Sequence, residues 1–172
     1  MIDDLSDLAA RLGRHLAEQC VDGLPGHFGD EILTEFPAEN RSSIGLALAE
    51  LKAAGFVVLT PLMGPSLPRI LTTYELFAAT DAAITGQDPT SDAALLAAML
   101  ADDPELGHVP ALEARSGWTR RRLNPALGLL LPLFHSGRKR ETVQNMYPTL
   151  GFLIGNDEIL KLRRFAREHA RR

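Results

Sequence analysis

The chain has 172 residues, with 18 Lys+Arg against 22 Asp+Glu for a formal net charge of −4, 45% hydrophobic residues and a single cysteine. That composition suits one domain or two small ones with a buried core, and it excludes a disordered chain and a disulfide framework. The acidic opening from Met1 to Asp7 does not read as a secretory signal. The longest apolar run, Ala126 to Phe134, is too short to span a bilayer, so the expectation is a cytoplasmic protein with no membrane partner. Charge is unevenly spread: residues 1–107 hold 5 basic and 17 acidic residues, net −12, whereas 108–172 hold 13 and 5, net +8. A basic half of that kind is the electrostatic footprint of a nucleic-acid binder.

In chain order, Leu5, Leu8, Ala9, Leu12 and Leu16 recur at three and four spacing, which predicts an amphipathic helix from Leu5 to Cys20 with Ser6 or Asp4 as its cap. Asp22-Gly-Leu-Pro-Gly26 ends it. A short helical pattern from Gly29 to Phe36 stops at Pro37, and Asn40 then caps a longer run through Ile44, Leu48 and Leu51 to Gly55. Two segments rich in β-branched and aromatic residues, Phe56 to Met63 and Arg69 to Phe77, flank a Gly/Pro tip at Gly64 to Pro68 and predict a hairpin.

Three helices and a hairpin follow each other in winged helix-turn-helix order. The stretch Arg41-Ser-Ser-Ile-Gly-Leu-Ala-Leu-Ala-Glu-Leu-Lys-Ala-Ala-Gly-Phe-Val resembles the recognition helix of bacterial winged-helix regulators, and Arg69 to Phe77 resembles the returning strand of their actinobacterial members. The resemblance covers about forty residues and implies that Arg41, Ser42 and Ser43 face a DNA groove. The basic wing tip usual in that class is missing, because Gly64 to Pro68 carries no charge.

The pattern repeats. An offset of 79 carries Ile44, Leu48 and Leu51 onto Leu123, Leu127 and Leu130, and also Leu33 onto Leu112 and Asn40 onto Thr119. An offset of 85 carries the first helix onto the stretch beginning Ser91-Asp92. The predicted architecture is therefore mainly α with small β hairpins (α+β): a first, acidic winged-helix unit over 1–80, a linker over 81–90, and a second, basic unit over 91–172 that ends in an extra helix.

In that second unit Asp92 to Ala101 forms the first helix, and Val109 to Arg115 with Thr119 to Leu131 form the helix-turn-helix. Pro125 leaves two registers open: Thr119 caps a helix that bends at Pro125, or Asn124 is the cap and Pro125 the first helical residue. In either case Arg120, Arg121 and Arg122 stand at the leading end, where arginine forks meet guanine edges or phosphates, with Thr119 and Asn124 beside them. Ser136 to Glu141 reads as a wing-like turn that brings Arg138, Lys139 and Arg140 to flanking phosphates. Glu141 to Ile154 suits one or two strands. Asn156 or Asp157 caps a last helix to about His169, whose cations read either as a solvated face or as DNA backbone contacts.

No phosphate loop, metal-binding His-Glu-x-x-His or nucleophile elbow occurs. Asp3 with Asp4 and Asp102 with Asp103 read as helix-flanking caps, Cys20 as a buried thiol, His27 as surface imidazole and Trp118 as core. The reading is a non-enzymatic protein without cofactor or metal, acting in the nucleoid as a sequence-specific binder of double-stranded DNA. On that reading it is a transcriptional regulator working as a homodimer, with the acidic unit serving dimerisation or another protein. The competing reading is a tandem winged-helix interaction scaffold, similar to the accessory subunit of bacterial condensin. A plasmid replication or partition factor would use the same DNA chemistry.

Overall fold

The computed structural model describes residues 1–140 and 146–170. The chain is mainly helical, with two small antiparallel sheets among the described residues, and it divides into two compact units. Unit 1 comprises Met1–Cys20 and Pro25–Thr85; unit 2 comprises Val21–Leu24 and Gly86–Arg172. No helix among the described residues is long and apolar enough to cross a membrane.

Unit 1 runs α1 (Asp7–Gln19), β1 (His27–Phe28), α2 (Ile32–Glu35), α3 (Arg41–Ala53), β2 (Val57–Thr60), β3 (Arg69–Thr72) and α4 (Tyr74–Ile84). Ser6 caps α1 by accepting from the Ala9 N–H, and Asn40 caps α3 by accepting from the Ser43 N–H at 2.9 Å. Each such cap contributes about 1 kcal/mol. Leu12 and Leu16 of α1, Ile44, Leu48 and Leu51 of α3, and Leu76 and Phe77 of α4 close the core around Ile70. The strands stand in the order β1-β3-β2, all antiparallel. Two features depart from the sequence reading. The short strand β1 precedes α2, and the segment expected to remain strand through Phe77 turns helical at Thr73, the N-cap of α4.

Unit 2 runs α5 (Pro89–Asp102), a 3-10 turn at Pro104–Gly107, α6 (Val109–Ser116), α7 (Arg120–Leu130), β4 (Lys139–Arg140), β5 (Gly151–Phe152) and α8 (Asn156–His169). Asp88 caps α5, accepting from the Thr90 N–H at 3.0 Å and the Ser91 N–H at 3.3 Å, with Pro89 at the first helical position, where its missing N–H costs nothing. Thr119 stands at the N-cap of α7 and Pro125 lies inside the helix, the first of the two registers. Gly155, not Asn156 or Asp157, is the N-cap of α8. Of the basic run expected in a wing-like turn, Ser136 to Glu141, Ser136–Arg138 make a 3-10 turn and Lys139–Arg140 form β4, which pairs with β5, while Glu141 lies outside the described residues. The part of the strand expectation that falls on 141–145 lies outside the described residues.

The two units repeat one topology. His27 and Val58 flank Leu71 in one sheet, while His108 and Arg140 flank Gly151 in the other, so each central strand is paired on both sides in the same order. Burial repeats as well. Ile44, Ala47, Leu48 and Leu51 on α3 and Leu123, Ala126, Leu127 and Leu130 on α7 are buried at an offset of 79, alanine on alanine. The six buried positions of α1, from Ala9 to Ala17, fall on buried Ala93, Ala94, Leu96, Ala97, Leu100 and Ala101 of α5 at an offset of 84. The expected offset of 85 misses that face by one residue.

Candidate nucleic-acid interface

The residues expected to meet DNA gather at three places: the start of α3, the start of α7, and the 3-10 turn leading into β4. At the start of α3, Arg41 reaches the Asp30 carboxylate at 3.2 Å and also donates to the Pro65 carbonyl. Asp30 in turn accepts the Leu67 N–H at 2.8 Å, the main reason its carboxyl is held below the usual carboxylate range. Arg41 is thus fastened to the β2–β3 connection. Ser43 belongs to the Asn40 cap, and its hydroxyl donates to Asn40 Oδ1 at 3.2 Å, while Arg41 and Ser42 are both exposed. Further along the same outward face are Leu46, 68% exposed, and Ala49, while Met63 of the β2–β3 connection is fully solvated. That face is apolar.

At the start of α7 the three arginines differ in what they do. Arg122 donates through Nε and Nη2 to the two carboxylate oxygens of Asp92 on α5, at 2.8 and 2.7 Å, and its guanidinium lies 3.9 Å from the centre of the Trp118 ring. Asp92 is buried, so this forked pair joins α5 to α7, and the carboxylate holds the guanidinium proton more firmly than usual. Arg122, expected at the groove, is thus engaged by Asp92 and Trp118, and Trp118, read as core, is partly buried against the core of unit 2. Arg120 sits 3.4 Å from the Glu113 carboxylate and over the Tyr147 ring, and the Tyr147 hydroxyl donates to Glu113, which pushes its pKa up. Arg120 and Arg121 remain partly exposed, and Thr119 is exposed with no cap bond from its side chain.

The sequence pattern puts Asn124 beside these arginines at the groove. The structure places it wholly inside, donating from Nδ2 to the carbonyls of Asp22 at 2.9 Å and Met146 at 3.0 Å. Past Leu123 the helix is covered nearly all round: Asn124, Pro125, Ala126, Leu127, Gly128 and Leu130 are buried. Gly23 explains part of this cover, since a Cβ built on it would stand 2.7 Å from Pro125 Cδ and 2.9 Å from the Arg121 carbonyl oxygen. So only the leading turn of α7 reaches the surface.

On the approach to β4, Arg138 lies 4.0 Å from the buried carboxylate of Glu158, which also accepts the Gly155 N–H at 3.0 Å. The Gly155 N–H is the main cause of the lowered Glu158 pKa. Lys139 and Arg140 are held by the β4–β5 pairing, with Arg140 exposed beside a cavity of about 300 Å³ lined also by Glu105 and His108. Arg115, exposed on the last turn of α6, adds a cation that helical spacing alone does not single out. A Gly-His pair recurs at 26–27 and 107–108 and marks the strand residue that opens each sheet, a signal in the sequence that leucine spacing does not carry. Among the described residues no cluster of three or more His, Cys, Asp or Glu side chains is placed to hold a metal, and Cys20 is buried with its thiol 3.7 Å from the Thr72 hydroxyl. No family model, no curated protein and no solved structure matches the chain.

Proposed function

We propose that this chain is a tandem winged helix-turn-helix protein that binds double-stranded DNA through its second unit and serves in transcription regulation, while its first unit holds a protein partner. The observation that carries the reading is the twice-repeated order of a helix, a strand residue, two helices and two strands, with cations at the leading end of the second unit's third helix. On this reading Thr119, Arg120 and Arg121, on the leading turn of α7, approach a groove, and Lys139, Arg140 and Arg115 meet phosphates. Arg122 is tied to Asp92, and Asn124 is buried. With so little of α7 at the surface, base reading is confined to its first turn, and phosphate contacts supply most of the affinity.

A mobility-shift titration of the full chain on random duplex over a salt series tests this. Arg140→Ala and Lys139→Ala are expected to weaken binding and to make the log–log salt slope shallower by about 0.9 for each phosphate that is no longer neutralised. Absence of any shift at low salt would overturn the DNA reading. The interaction-scaffold reading has its own support in unit 1, where Leu46, Ala49 and the exposed Leu62 and Met63 offer apolar surface in place of the cations phosphate needs.

A further inference from the structure

The seam between α5 and α8 is open on its outer side. Two shallow cavities, about 530 Å³ and 340 Å³, run along it and share Ala98 and Ala166. Alanines line the seam: Ala94, Ala98 and Ala101 from α5, Ala166 from α8, and Ala170 just past the end of α8. On the rims stand two large apolar side chains in solvent, Leu95 at 54% and Leu160 at 66% exposure. Small residues under exposed leucines let another helix approach closely.

The charges on α8 say what kind of helix fits. Positions three and four away from Leu160 share its face. On the N-terminal side these are Asp157 and Asn156, and on the C-terminal side Arg163 and Arg164, with Arg167 a turn further on. Arg164 is paired to Glu168 at 2.7 Å, whereas Asp157 and Arg163 are exposed at equal distances along the helix from Leu160. A helix that is acidic on one side of an apolar centre and basic on the other complements a copy of itself laid antiparallel. An isologous two-fold interface needs that property, and an unrelated partner would not require it.

We infer that this face binds a second copy of the same chain, with the two α8 helices antiparallel across a two-fold axis near Leu160. Each Leu160 then enters the smaller cavity of its partner copy, and Asp157 of one copy meets Arg163 of the other. The inference stands apart from DNA binding, so either can fail alone.

Sedimentation of the full chain over a range of micromolar concentrations tests it, and a species of twice the chain mass is expected. Leu160→Glu should weaken association by about tenfold or more, since it puts a charge at the interface centre. At concentrations low enough that both proteins are monomeric, its thermal melt should match that of the wild type because Leu160 lies outside the core. Leu95→Glu gives the same readout from the other rim. Asp157→Arg alone should weaken the dimer, and Asp157→Arg with Arg163→Asp should restore it, a rescue that only antiparallel self-pairing produces. A chain that stays monomeric at its highest soluble concentration, a dimer indifferent to both leucine substitutions, or a double variant that fails to rescue would overturn the assignment.

Discussion

Arg122 makes a two-point contact with Asp92 that a lysine cannot copy, because only the guanidinium presents two N–H groups at the spacing of a carboxylate. Removing it strands a buried carboxylate, so Arg122→Ala should lower the unfolding free energy of unit 2 by about 2–3 kcal/mol in urea denaturation. Arg122→Lys should recover only part of that loss. An unchanged midpoint would mean the pair is ornamental, and the guanidinium would again be available to DNA. Glu158 gives a pH-dependent counterpart. Its carboxyl is held below the ordinary range, chiefly by the Gly155 N–H, so its contribution is fully present above the ordinary carboxylate pKa and is lost as pH falls through the lowered one. The wild type should therefore be more stable than Glu158→Gln at neutral pH, and the gap should close in acid. A gap that stays constant from pH 7 down to the acid unfolding transition would contradict the assignment.

Among the elements, two glycines call for opposite outcomes. Gly23 has φ +70° and no space for a Cβ against Pro125, so Gly23→Ala should destabilise by about 1–3 kcal/mol. Gly45 lies within α3 with nothing within 4 Å of a Cβ, so Gly45→Ala should stabilise by about 0.5–1 kcal/mol. Thermal melts of both variants read the two signs directly. The same elements show what the sequence could disclose. Leucine spacing locates α1, α3 and α7 because leucines, isoleucine and alanines dominate their buried faces, even with Asn124 buried on α7. It misses α4, where Thr80 and Asp81 occupy buried positions beside Leu76 and Phe77 and the leading Thr72-Thr73-Tyr74 carries strand propensity. Treating the helix after the second hairpin as an appendage conceals the missing element, since α8 is the counterpart of α4. The site is less legible than the fold. The residue type and position of Arg122 and Asn124 suggest a groove contact, and only their partners show that Arg122, still part-exposed, is tied to α5 and that Asn124 is buried against Asp22 and Met146.

For the whole molecule, charge must be counted by unit and not by a cut in the sequence. Unit 1 holds 5 basic and 11 acidic residues, net −6, and unit 2 holds 13 and 11, net +2, because Asp22 and the acids of α5 and the turn after it fold with the basic residues. The basic character is thus a matter of local placement at α6, α7 and β4. Unit 2 is also made of two pieces of chain, Val21–Leu24 and the stretch from Gly86 onward. Expressed alone, residues 86–172 lose the Asp22 carbonyl that accepts from Asn124 and the glycine that packs on Pro125. A buried amide deprived of a partner costs about 1–3 kcal/mol, so the fragment should unfold at lower urea than unit 2 does in the full chain. Trp118, the only tryptophan, lies in unit 2 and reports on that unit alone in both samples. Coincident fluorescence transitions for fragment and full chain would show that the short segment adds nothing, and the cover over α7 would then have to come from unit 2's own later residues.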